Sequence, residues 1–162
     1  MKRILLFFLL LIAIVVNKSM IFAIEDQGKF IDKNEKETLQ VKKDISDLLN
    51  KRANLWNSLF TEETNIKEIN EELKELVAEP LLTYDIEAFE EIKNKHTGME
   101  KILNVDILKL RHIKSSGDRI VVHIEVEWLM EGFEKNYKER VDYIMDLIKD
   151  SNKWKISDYK VE

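Results

Sequence analysis

Residues 119–130, "RIVVHIEVEWLM", constrain the fold more than any other stretch of the chain. Ile120, Val122, Ile124, Val126, Trp128 and Met130 occupy every even position, while Arg119, His123, Glu125 and Glu127 hold odd ones. Successive side chains of a strand point to opposite faces, so this alternation predicts a long strand with one dry face and one wet face. Such a strand needs antiparallel neighbours and a second layer to cover its dry side.

The flanking segments supply the neighbours. In "ILNVDILKLRHI" (102–113) Leu103, Val105 and Ile107 alternate with polar residues, and the phase then slips to Leu108 and Leu110, which predicts a bulge. "SSGD" (115–118) is turn chemistry. In "YKERVDYIMDLIKD" (137–150) Tyr137, Val141, Tyr143, Met145 and Leu147 share a face, and "DSNK" turns the chain into its last strand. There Trp154 and Ile156 share a face while Tyr159 and Val161 return one place out of phase, so a second bulge is expected near Ser157 and Asp158.

Helical periods precede the strands. From Thr38 to Phe60 apolar residues recur in steps of three and four at Val41, Ile45, Leu48, Leu49, Leu55, Trp56 and Leu59, with Arg52 joining the stripe by its stem. A second helix starts at Asn65, spaced from Glu68 as in a capping box, carries Ile66, Ile69, Leu73, Leu76 and Val77, and is stopped by Pro80. A third runs from Asp85, read as its cap, to about His96. Ile86, Phe89 and Ile92 form one face, and Gly98 fits the left-handed residue that ends a helix.

The N-terminus reads differently. Residues 4–16, "ILLFFLLLIAIVV", follow Lys2 and Arg3 and are shorter than the roughly 20 residues a spanning helix needs, so residues 1–23 are expected to be a signal peptide cleaved after Ala23. If it is uncleaved, residues 4–24 form an anchor with Lys2 and Arg3 in the cytoplasm, the only membrane contact expected. Residues 24–37 read as a linker and 38–162 as the domain, with the body outside the cytoplasm. The 162-residue chain has no cysteine, which excludes a lipoprotein, a disulfide scaffold, a thiolate zinc site and a cysteine nucleophile. Losing Lys2, Arg3 and Lys18 with the leader takes the formal charge from −5 to −8, which argues against nucleic acid as a partner.

Helices first and then a four-strand antiparallel meander define an α+β domain. Residues 38–162 resemble the nuclear transport factor 2-like superfamily, in which about three helices pack on a curved four-strand sheet. The resemblance rests on the long helix ending "NLWNSLF", the "YDIEAFEEI" helix, the "GDRIVVHIEVEW" hairpin and the closing "NKWKISDYKVE". It implies a cavity between helices and sheet, used by some members as an active site. Other bacterial members sit outside the membrane as assembly modules of the cell envelope.

Enzymatic members use a carboxylate or histidine base with a hydroxyl or acid donor, since enolising a substrate needs both. His112, His123, Asp106, Asp142 and Tyr143 are the candidates here. The pattern places His123 with Glu125 and Glu127 on the wet face, turns Asp106 away from Val105 and Ile107, and makes Tyr143 a core residue. Three histidines without HxH or HxxxH spacing give no metal site, and no cofactor motif is present. Trp56, Trp128 and Trp154 are expected to meet beneath the first helix and fill the cavity, or with Tyr143 to line a ligand pocket. The expected function is an exported, non-enzymatic binding or assembly module with an envelope protein, or a second copy docked through the sheet, as partner. The alternative is a small-molecule-binding or isomerase/dehydratase-like enzyme using the cavity.

Overall fold

The alternating segment forms the second strand of a four-stranded antiparallel sheet in the computed structural model, which describes residues 35–61, 63–95, 100–132 and 134–162. The strands β1 (Ile102–Ser116), β2 (Arg119–Met130), β3 (Tyr137–Asp150) and β4 (Lys153–Val161) lie side by side in chain order. Three helices, α1 (Glu35–Ser58), α2 (Ile66–Leu76) and α3 (Leu81–Lys95), precede them and pack on one face. The domain is therefore α+β, with three helices on a four-strand meander. The expected leader (1–23), most of the linker and Gly98 lie outside the described residues. Helix α1 begins at Glu35, three residues before the expected start.

The dry face of β2 is buried along its whole length, from Ile120 through Val122, Ile124 and Val126 to Trp128 and Met130. Tyr143, Met145 and Leu147 of β3 and Ile156 of β4 extend that face. Ile45, Leu48, Leu49 and Trp56 of α1 and Leu59 just beyond its end close over it, together with Ile69 and Leu73 of α2 and Phe89 and Ile92 of α3. Burying this much apolar surface is what stabilises a domain that has no disulfide.

Both expected phase slips are present. Along β1 the register skips Leu103, Leu108 and Arg111, so Leu103 is exposed and Ile102 takes the core place the alternation had given it. In β4 Ser157 is the extra residue: Asp158 pairs with Asp146 and Ile156 with Leu147. That one-residue slip turns Tyr159 and Val161 to the helical side. The β3–β4 turn is carried by Ser151 (φ 49°) and Asn152 (φ 65°), the two left-handed residues that a two-residue hairpin loop favours.

The helix ends differ from expectation in one place. Asn65 caps α2 as its spacing predicts, its side chain accepting from Lys67 N at 3.0 Å and donating to Glu68 at 3.1 Å. Pro80, however, does not end α2, which stops at Leu76; it stands immediately before α3. Between them Val77 bridges to Ile156, and Ala78 N donates to Ile156 O at 2.9 Å. Asp85 is consequently an interior residue of α3 rather than its cap, and it is fully buried.

Both sheet edges are partly occupied by the helical layer. Asn57 uses its side-chain amide on both backbone groups of Ile102, at 2.7 and 2.8 Å, and Asn50 donates to Val105 O at 3.2 Å. On β4 the Val77–Ala78 segment holds Ile156. Edge strands covered in this way offer fewer open backbone groups for pairing with other chains.

Candidate functional site

The deepest polar group in the domain lies where α1, α3 and β4 meet. Arg52 falls on the apolar stripe of α1, one turn after Leu48 and one before Leu55 and Trp56, so its guanidinium is carried into the core. On α3, Asp85 stands four residues from both Leu81 and Phe89 and is carried in from the other side. Arg52 Nε and Nη2 donate to the two oxygens of Asp85, each at 2.6 Å. This is the forked geometry that a planar guanidinium and a carboxylate favour. Tyr159, brought inward by the Ser157 bulge, accepts from Nη2 at 3.5 Å and lies under the guanidinium, 5.7 Å from ring centroid to carbon.

Burial works against the Arg52 cation, but Asp85 and Tyr159 outweigh it, so the guanidinium pKa lies above the ordinary arginine value. Burial pushes the hydroxyls of Tyr143 and Tyr159 up, each with a further push from the other or from Asp85. Neither hydroxyl can serve as a base at neutral pH in that setting. Tyr143 packs edge-on against Trp128 and Tyr159, with ring centroids 6.5 and 5.6 Å apart.

Two small cavities flank Arg52. One is lined by Leu49, Arg52, Trp56, Asp85, Phe89, Ile102 and Trp128, the other by Leu49, Arg52, Trp128, Tyr143, Met145 and Tyr159. Each leaves about 10 Å³ for the centre of a water molecule, room for about one water. An organic substrate enters neither unless side chains move.

The structure distributes the sequence candidates widely. Trp56 and Trp128 line the first cavity, and Tyr143 with Trp128 the second. Trp154 does not join them: it pairs with Lys149 beside the hairpin turn, with the Lys149 amine 5.8 Å above its ring, whereas Trp128 pairs with Glu139. Those two positions on β3 are ten residues, or about 33 Å, apart. Three tryptophans of matching face are thus not three tryptophans in contact.

Asp106, Asp142 and His123 lie on the outer face. Asp106 is exposed and accepts from Asn104 at 2.7 Å. Asp142 pairs with Arg111 at 3.0 Å, His123 Nδ1 lies 3.6 Å from Glu162, and His112 stands opposite His123 in the register. Among the described residues no group of three or more histidines and acids is placed to hold a metal ion.

Glu125 and Glu127 lie on the outer face, as the alternation predicts, but they are not wet there. They are only 9% and 6% exposed, although they lie on the outer side, because the stems of neighbouring cations cover them. Lys109 (2.8 Å) and Arg111 (3.1 Å) hold Glu125, while Lys138 (2.5 Å) and Arg140 (2.9 Å) hold Glu127. These hydrogen bonds, that from Lys109 first for Glu125 and that from Lys138 first for Glu127, keep both carboxyls below the usual glutamate value.

The Arg52–Asp85 pair went unread in the sequence. A charged residue on the apolar stripe of each of two helices was the available signal. The stripe carries the stem of Arg52 without saying where its head goes, and the spacing of Asp85 fits a cap as well as an interior position.

No protein-family model and no curated protein matches the chain. Among solved structures it is similar to the intermembrane space region of the chloroplast protein ARC6, at 17% identity over 74% of this chain and 95% of that one, with a TM-score of 0.46. It is also similar to a variant of the designed protein Rd1NTF2_05, at 14% identity over 80% and 100% of the two chains, TM-score 0.43. A de novo β-sheet design is 16% identical over 74% and 88%, with a TM-score of 0.33. Nothing about chemistry carries over at these levels.

Proposed function

We propose that this chain is an exported nuclear transport factor 2-like domain that works by binding another protein of the cell envelope or extracellular space and catalyses no reaction itself. The observation that carries the reading is the state of the interior. The buried charges Arg52 and Asp85 are bonded to each other, and the cavities beside them have room for about one water apiece. A catalytic base has to reach a substrate proton, and an acid consumed by its own ion pair does not. Support for export comes from Lys2, Arg3 and the apolar run 4–16.

Cross-linking on intact cells through surface lysines, followed by identification of the attached chain, tests the reading. The expected result is one recurrent protein partner, with the exported chain beginning at Ile24 or retaining Met1 as an anchor. A chain found in the cytoplasm contradicts export. A small molecule that raises the melting temperature, with no protein cross-linked, favours the enzymatic alternative.

A further inference from the structure

Asp146 and Asp158 face each other directly across β3 and β4 on the outer side of the sheet, at the point where the register slips past Ser157. Like charges directly opposite one another destabilise a strand pair. Only one of the two acids is compensated: Arg119 of β2 binds Asp146 with its whole fork, Nε at 2.7 Å and Nη2 closer still. Asp158 accepts the backbone N–H of Tyr159 at 2.8 Å, and among the described residues no cation stands within ion-pair distance of it. On its own strand Lys155 is engaged with Asp150 at 2.7 Å, and Lys160, two residues on, is exposed to solvent. The charged groups on the face of Asp158 are therefore Asp146 from β3, Arg119 from β2 and Lys160 along β4, the helices lying on the opposite face. Ser157 Oγ donates to Asp146 O at 3.3 Å, which holds the bulge against the same residue.

We propose that Asp158, set against Asp146 at the Ser157 bulge, forms an acid-responsive clasp on β4. Protonation of Asp158 removes its repulsion with Asp146 and tightens β4 onto β3, and its ionisation loosens the strand. The place matters because β4 is anchored on either side of the clasp. Ile156 ties it to Val77 and Ala78 behind α2, and Tyr159 ties it to Arg52 and, through that residue, to Asp85 of α3. Loosening at Asp158 thus frees the strand that joins the helices to the sheet. Half-burial, with Asp146 opposite, raises the Asp158 pKa, in the direction the geometry requires. Since the folded value is the higher one, the clasp is closed below the ordinary aspartate range and opens as pH rises through that range and the folded value.

Residue-resolved hydrogen exchange on the whole chain at about pH 3 and about pH 7 reads the clasp, after correction for intrinsic rates. Protection of β4 amides from Tyr159 to Val161, relative to β2 amides, is expected to be greater in acid, by about tenfold for each unit separating the folded and unfolded pKa values. Asp158→Asn keeps the oxygen that accepts from Tyr159 N and removes the charge, so its β4 protection should be high at both pH values. Asp146→Asn should reduce the pH dependence to the part that burial of Asp158 causes. Equal β4 protection of the native chain at both pH values, or an unchanged dependence in Asp158→Asn, overturns the proposal. A change shared equally by β2 and β4 also overturns it, since that is global stability and not a clasp.

Discussion

Arg52 and Asp85 show why a buried ion pair is costly to break. Each charge is removed from water and satisfied mainly by the other, so losing one partner leaves an uncompensated ion in the core. Arg52→Met or Asp85→Leu alone should cost about 3–5 kcal/mol, read as a shift of the denaturation midpoint in urea, whereas the combined change should recover most of that loss. Additive losses in the double variant would mean that the two side chains act separately. Glu139 gives the pH counterpart. Burial first, and then Glu100, raises its carboxyl pKa, so ionising it weakens the fold as pH rises through the glutamate range. Glu139→Gln should melt higher than the native chain near neutral pH and no higher in acid below the ordinary glutamate value. A variant equally stabilised at both pH values would contradict that assignment.

Among the elements, β2 was legible almost residue by residue because its period is two and one face is dry throughout. The slips in β1 and β4 were legible as breaks in that period, and Tyr159 owes its inward position to one of them. The start of α3 was not legible: Pro80 could close one helix or stand before another, and only the packing of Leu81 and Asp85 against α1 and β4 decides between them. Edge coverage was equally hidden, since nothing in the spacing of Asn50 and Asn57 says that their amides meet strand backbone. Asn57→Leu should leave both backbone groups of Ile102 unpaired and lower stability by about 1–3 kcal/mol. Exchange measured along β1 should show the loss concentrated near Ile102. A loss spread evenly over the sheet would mean that Asn57 acts by packing alone.

At the scale of the whole molecule the sequence defined two layers and left the interior between them open. Face and period say which side chains point inward, but they do not say how far apart those side chains lie along a sheet, so they do not separate Trp154 from Trp56 and Trp128. The interior that results is closed around a self-neutralised charge pair, and the outer face carries Glu125 and Glu127 under four cations. The indole N–H signals of Trp56 and Trp128 in an NMR spectrum report on that interior most directly, during titration with a library of small acids, ketones and aromatics. The account predicts that neither signal moves saturably with any of them. A saturable shift of the Trp128 indole together with the Tyr143 ring signals would show a ligand inside the domain and contradict it.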